Sequence, residues 1–435
     1  MRAGLLMALG LAITACPSDS GTQPADANSD ATAEVTGDAT GPDAAVVVPT
    51  EPAIEDFAVV VPGTAMPAPV SPMTANNNLD IVLHDGRLFL AFRTAESHFA
   101  SADVTMYVVS TEFVPGVGED AQGWRYEGMF FLERDVREPR FLSWNGKLFL
   151  YFAVLGTNPV DFEPHESRMA QWLGPGQWTE STPDIGFPGA LGDYDGFIPW
   201  RTKVVDGVPY MVGYVGGGEI YDVSGEATEG LEISWLTTVD GVSWSPVVDG
   251  QPVVQTGGGS ETDFAFADDG ALIAVTRNER GDDTGFGSKI CRAEPSDLGT
   301  WSCVNDPRKY DSPLVFKHGS TIMLIARRHV TESGWYDLTQ LPDADPDLSV
   351  SDLLIAYSTS PKRCAVWEVN PTSLEVTHVI DLPSAGDTCF PGMVPIDAHH
   401  YLVYNYSSDP NDPDRTWIDG QVAPTFVHRM VLALP

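Results

Sequence analysis

Short apolar runs broken by tight polar turns recur along most of this chain. Arg87-Leu88-Phe89-Leu90-Ala91-Phe92, Lys147-Leu148-Phe149-Leu150-Tyr151-Phe152 and Ala271-Leu272-Ile273-Ala274-Val275 each follow a turn, and each has a strand's length. The turns are Asp85-Gly86, Asn145-Gly146, Asp206-Gly207, Asp269-Gly270 and His318-Gly319, with a degenerate sixth at Ala398-His399-His400. Two-residue Asx-Gly loops are the strongest short hairpin signal, because both central residues must accept positive φ. A spacing near sixty residues suits one four-stranded blade with its loops, so the repeat predicts an all-β, six-bladed propeller over residues 57–435. Trp124 and Trp178 are placed to close blades.

Composition agrees with turn-rich β structure. Of the 435 residues 43% are apolar, enough for a large core, and 41 Gly with 34 Pro supply many turns. A net charge of −37 opposes contact with phosphate backbones, so nucleic acid is excluded as a partner. From Pro17 to about Glu55 the chain has no Lys or Arg and almost no large apolar side chain. Such a segment cannot offset its ordering entropy, so residues 16–56 read as an acidic linker, with an end-to-end distance on the order of 35 Å.

Arg2 precedes an apolar stretch from Leu5 to Ile13, too short to span a bilayer but suited to a signal peptide over residues 1–15. It ends in Ile13-Thr14-Ala15-Cys16, which resembles a bacterial lipobox. The resemblance implies cleavage before Cys16, a diacylglyceryl group on its sulfur, and attachment to the membrane through that lipid alone. Pro17 after the cysteine implies sorting to the outer membrane of the cell envelope. The other cysteines are even in number, which in an exported chain favours disulfides. Cys291 and Cys303 flank a turn-rich segment and are expected to pair across a hairpin; Cys364 and Cys389 pair by default.

In a propeller both ends of each inner hairpin ring the central opening. Second-strand ends read Phe92-Arg93-Thr94, Thr276-Arg277-Asn278 and Ala326-Arg327-Arg328-His329. First-strand starts read Asn78/Asp80, Arg137-Glu138-Pro139, Asp195 near Trp200-Arg201, Glu261/Asp263, Asp311-Ser312-Pro313 and Asp387. Repeat phase therefore gathers arginines and carboxylates at one mouth. A guanidinium fork suits a carboxylate or sulfate, and neighbouring carboxyl groups suit general acid and base work on a glycosidic bond.

Thr238-Val239-Asp240-Gly241-Val242-Ser243-Trp244 resembles the Asp-box of sialidase-like propellers, shortened by one residue, with a weaker echo at Gly299-Thr300-Trp301. Ser260-Glu261 through Asp269-Gly270-Ala271-Leu272 to Arg277 is similar to a glutamate-to-arginine blade of the sialidase superfamily. The resemblance covers roughly residues 76 to 435. It implies a glutamate that activates a tyrosine nucleophile (Glu261) and arginines that grip a substrate carboxylate (Arg277, with Arg328 as a second). Two departures stand out. Asn76-Asn77-Asn78 replaces the Phe-Arg-Ile-Pro motif of the first blade, and Asp387-Thr388-Cys389-Phe390 puts a phenylalanine where the tyrosine is expected, leaving Tyr404 or Tyr406 to supply a hydroxyl.

The expectation is a monomeric, glycan-binding propeller. Glu261, Glu138, Asp195 and Tyr406 are its candidate catalytic groups, and Arg93, Arg277, Arg328, Arg201 and Asp387 its substrate contacts. The alternative is a non-catalytic propeller that binds a polysaccharide or partner protein. No cofactor is expected; Asp343–Asp347 and Asp409–Asp414 could take Ca²⁺ but read better as acidic turns, and His98, His165, His329, His399 and His400 lack zinc spacing.

Overall fold

The computed structural model describes residues 48–159, 162–185, 196–216, 230–345 and 348–435. Cys16, the signal segment, most of the linker and Asp195 lie outside the described residues. Six sheets, antiparallel apart from a short parallel pairing of Asp184–Ile185 at the edge of the third, follow one another in a ring among the described residues. Blade 1 is Ala75–His84, Arg87–Ala95, Thr105–Val114 and Arg125–Phe130; blade 2 is Asp135–Trp144, Lys147–Leu155, Pro164–Gly174 and Gln177–Ser181. Blade 3 comprises Ile198–Val205, Val208–Gly216 and Leu231–Thr238, with both Ser243–Pro246 and Val253–Gly257 along its outer edge. Blade 4 is Gly259–Phe266, Leu272–Asn278, Ser288–Glu294 and Asp297–Asp306; blade 5 is Leu314–His318, Thr321–His329, Lys362–Val369 and Val376–Leu382. Blade 6 joins both ends of the described chain, since Gly392–Pro395, His400–Ser407 and Phe426–Ala433 take Ala53–Val61 as their outer strand. The folded part thus begins at Ala53, inside the segment read from sequence as linker. This strand carries no local signature because it contains Glu55 and Asp56 and borrows its partner from the far end of the chain.

The continuous apolar runs have a simple cause. Each second strand is covered on both faces by neighbouring blades, so its alternate side chains serve two cores. Leu88, Leu90 and Phe92 pack with Leu402, Tyr404 and Tyr406 of blade 6, while Phe89 and Ala91 pack with Leu148, Leu150 and Phe152 of blade 2. Phe149 and Tyr151 in turn meet Met211, Leu236 and Trp244 of blade 3. Full burial of one such side chain contributes about 1.5–3 kcal/mol, so every blade interface matters.

Three hairpins are tight two-residue turns, with positive φ at Asp85/Gly86, Asn145/Gly146 and Asp206/Gly207. Two differ from the sequence reading. Register pairs Phe266 with Leu272, so Asp269-Gly270 sits in a longer loop, and it pairs His318 with Thr321, so the fifth turn is Gly319-Ser320. The sixth also is longer, with Pro395 opposite Tyr401 and Asp397 accepting from the backbone N–H groups of His399 and His400.

The Asp-box-like segment forms the hairpin it suggested. Thr238 Oγ1 accepts from the backbone N–H of Gly241 (2.9 Å), and Asp240 Oδ1 accepts from those of Val242 and Ser243 (both 2.7 Å). These bonds hold the Asp240 carboxyl below its ordinary range. The Tyr151 hydroxyl of blade 2 donates to the Gly241 carbonyl (2.5 Å), and buried Trp244 meets the Tyr151 ring edge-on at 5.6 Å. Both expected disulfides are present: Cys291–Cys303 joins the outer strands of blade 4, and Cys364–Cys389 ties blade 5 to blade 6.

Candidate functional site

The inner strands share one irregularity. Register shifts fall between Asn77 and Leu79, Arg137 and Arg140, Pro199 and Arg201, and Gly259 and Thr262. Close to the same level Asn78, Glu138, Ser312 and Cys389 adopt positive φ, at 40°, 59°, 52° and 79°. Non-glycine residues in that region are strained and bulges re-aim side chains, so a ring of strained positions marks the opening at the strand starts.

Register also fixes what faces the axis one step deeper. Asp80 stands opposite Ala91, Arg140 opposite Tyr151, Arg201 opposite Val212, Asp263 opposite Val275, Leu314 opposite Ile325 and Gly392 opposite Tyr404. Two residues beyond these second-strand partners come Arg93, Ala153, Tyr214, Arg277, Arg327 and Tyr406, the equivalent positions nearest the mouth. Arg328, proposed from sequence, is one residue out of this phase. It leaves the network and pairs with Asp381 on the outer strand of its own blade (2.8 and 2.7 Å). Arg327 turns inward instead, donating to Asp311 Oδ2 (2.8 Å) and to the Thr388 carbonyl (2.6 Å). Side-chain alternation counted from the hairpin was the signal that distinguishes them.

Glu261, Arg277, Tyr406 and Asp387 belong to one buried network, and Glu138, also buried, feels the charges of Glu261 and Arg277. Glu261 accepts from Arg277 Nη1 (2.5 Å) and, across the blade boundary, from the backbone N–H of Ser312 (2.6 Å). Arg277 also pairs with Glu279 and lies 3.9 Å from Asp311. The Tyr406 hydroxyl donates to Asp387 Oδ1 (3.0 Å), whose other oxygen lies 2.6 Å from His98 Nδ1. Asp311, one of the first-strand starts expected at the mouth, accepts from the Tyr357 hydroxyl as well as from Arg327, whereas His98 draws no site role from sequence because the contact that recruits it spans 289 residues. Arg93 is wholly buried behind the mouth, bonded to Asp135 (2.9 Å), Asn77 (3.2 Å) and the carbonyls of Ser97 and Phe99. Arg137 shares Asp135 with it. Arg201 sits in the deeper ring, 3.4 Å from Asp263, 3.9 Å from Asp80 and donating to the Pro313 carbonyl.

Electrostatics separates these carboxyl groups. Burial, reinforced by the charge of Glu261, pushes Glu138 up to about 7 against the pull of Arg137, Arg140 and Arg277. Burial also raises Glu261, with Arg277 opposing it. Burial alone would raise Asp311 and Asp387 too, but Lys309 with Arg327 and Arg277, and His98 with Arg327, hold them below the ordinary range. Burial and the Asp387 charge push the Tyr406 phenol well up. The mouth thus sets two raised carboxyls, Glu138 and Glu261, beside two lowered ones, Asp311 and Asp387.

Phe390 carries no hydroxyl, and its ring takes a packing role. It meets Trp200 edge-on at 5.2 Å, and the Arg140 guanidinium stacks on both rings. These residues come from blades 6, 3 and 2, so their contact crosses the axis below the bulged layer. Among the described residues no group of three or more His, Cys, Asp or Glu is arranged to hold a metal ion. Asp409 in the acidic loop accepts from Asn411, and Asp412 pairs with Arg415.

No family model matches this chain, and no curated protein does. Solved structures do. A protein of unknown function from Dyadobacter fermentans aligns over 89% of this chain and 100% of its own, at 13% identity and a TM-score of 0.57. Trypanosoma rangeli sialidase aligns over 82% of this chain at 10% identity and a TM-score of 0.51; the same enzyme with the inhibitor DANA gives 11% and 0.53. This chain spans about 55% of the length of those sialidase structures. At such identities the likeness concerns architecture alone, and it agrees with the blade count: the chain has the sialidase-like six-bladed propeller fold.

Proposed function

We propose that this protein binds and hydrolyses a terminal sugar of glycans at the bulged mouth, and that a lipid on Cys16 holds it at the outer membrane. The observation that carries the reading is Glu138. Its residue is 6% exposed, one carboxyl oxygen has no partner among the described residues, and its acidity is shifted to about 7 beside a second carboxyl, Glu261. A protonated carboxyl at neutral pH is what a glycosidic leaving oxygen requires of a general acid. Tyr406 supplies the attacking oxygen; because its phenol holds its proton in the resting site, the proton moves along the hydrogen bond to Asp387, oriented by His98, only as the new C–O bond forms. The C–O bond to the aglycone breaks as the sugar bonds to Tyr406, and the aglycone oxygen takes the Glu138 proton. Water then releases the sugar and restores both groups. The T. rangeli structures with sialic acid and DANA support a sugar ligand on this architecture.

A second reading, sugar binding without hydrolysis, is favoured by the 1% exposure of Tyr406. A panel of chromogenic glycosides separates the two. Hydrolysis should be present in the full chain and fall by at least 100-fold in both Glu138→Gln and Tyr406→Phe with melting temperatures retained; saturable glycan binding with no turnover would leave only the second reading.

A further inference from the structure

The arginines that suggested an acidic ligand are all occupied by the protein itself. Arg93 and Arg137 share Asp135, Arg277 is held by Glu261 and Glu279, and Arg327 by Asp311. The deeper Arg140 has no hydrogen-bond partner among the described residues, but it is wholly buried and stacked on Trp200 and Phe390, so it does not open to the mouth. Among the described residues, the polar atoms left over around the bulges include two acceptors, Glu138 Oε2 and Asn78 Oδ1, on residues 6% and 4% exposed, beside the Ser260 hydroxyl and the Trp200 indole N–H. A buried acceptor without a donor costs roughly 1–3 kcal/mol, and a ligand that donates hydroxyl protons removes that cost.

A second observation points the same way. A surface cleft of about 560 Å³ is lined by Asp412, Asp414, Arg415 and Asp419, the arginine being paired with Asp412. It adjoins the mouth, since Gly420 packs directly against the backbone of Asp387, and the Gln421 carbonyl accepts from the backbone N–H of His98. The surface beside Asp387 is therefore acidic, and a carboxylate or sulfate would meet like charge there, while the mouth guanidinium groups of Arg93, Arg277 and Arg327 are already held by protein carboxylates.

Building on the proposed sugar site, we infer that its ligand is a terminal sugar without an acid group, recognised through a hydroxyl donor to Asn78 and neutral hydroxyl hydrogen bonds at Glu138, which accepts on one oxygen and keeps its proton on the other for the leaving group. The carboxylate grip of a sialidase is closed in this chain by its own Glu261, Glu279 and Asp311.

The test uses the full chain and immobilised glycan pairs that differ only in a terminal sialic acid, a 6-sulfate or a glucuronic in place of a glucose residue. The uncapped, neutral member of each pair should bind at least ten-fold more tightly. Asn78→Ala should weaken the neutral member at least five-fold. Glu279→Gln, which releases one guanidinium edge of Arg277, should narrow the preference by raising the affinity for the acidic member. Equal or tighter binding of the acidic members by the unaltered protein overturns the inference while leaving sugar binding intact; failure to bind any glycan overturns both. The comparison on the unaltered chain decides the matter even if a variant fails to fold.

Discussion

Arg140 and Phe390 meet across the propeller axis, the guanidinium carbon 4.2 Å from the ring centroid, and among the described residues no atom accepts a hydrogen bond from that guanidinium. A cation–π contact contributes about 0.5–2 kcal/mol, whereas a buried guanidinium without acceptors costs several. Burial, with Arg201 next to it, lowers Arg140 to about 9, a sign of the same imbalance. Arg140→Met keeps most of the volume and removes the charge. It is expected to leave stability unchanged or raise it by about 1–4 kcal/mol in urea unfolding. A loss above about 2 kcal/mol would show that Asp80 and Asp263 depend on Arg140 as well as Arg201.

Glu138 gives the fold a defined pH dependence. Its ordinary value is 4.5 and its folded value about 7, so its contribution to stability is complete below pH 4.5 and is lost as pH rises through 7. The slope in that window is at most about 1.4 kcal/mol per pH unit. Asp135, Asp311 and Asp387 are shifted the other way, and their contribution disappears as pH falls below the ordinary carboxylate range. Melting temperature should therefore be highest in mildly acidic buffer. Glu138→Gln should remove the decline towards pH 8 and leave the acid limb in place; an unchanged alkaline decline would assign it to another group.

Gly241 tests the Asp-box hairpin. Its φ is +79°, and a Cβ there would lie 2.5 Å from the Phe149 ring of blade 2. Gly241→Ala combines backbone strain with overpacking at a blade interface and should cost about 2–4 kcal/mol, read as a lower urea midpoint with an unchanged slope. A shift under about 0.5 kcal/mol would mean that this hairpin does not brace blade 2.

The Cys364–Cys389 bridge closes 25 residues and fixes the strained start of blade 6's inner strand. Cys364→Ala/Cys389→Ala should lower stability by about 2–5 kcal/mol, and non-reducing peptide mapping should recover Cys291–Cys303 and Cys364–Cys389 as the two linkages. Any other pairing would contradict the blade 5 to blade 6 contact.

Closure of the ring depends on Ala53–Val61. Arg429 on its partner strand pairs with Asp56 (2.8 Å) and with Glu119 of blade 1. Truncation before Val61 should expose the Phe426–Ala433 edge and convert a cooperative transition into a broader one with early loss of blade 6. A full-length-like transition would show that blade 6 holds without its outer strand.

The sequence by itself determined what is local or periodic. Asx-Gly turns demand positive φ, second strands covered on both faces must be apolar throughout, and cysteines flanking a hairpin face each other; blade count, Asp-box turn and the Cys291–Cys303 pair follow. Glu138, Glu261 and Arg277 were legible for the same reason, being in repeat phase beside recognisable hairpins. The tertiary structure decided everything that depends on register beyond a bulge or on blades meeting around an axis. It turned Arg327 inward and Arg328 to Asp381, brought His98 and Tyr406 to Asp387, set Phe390 against Arg140, and recruited Ala53–Val61 as the last strand. A shift of one residue in a strand reverses the face of a side chain, and contacts between ends of the chain leave no trace in local pattern.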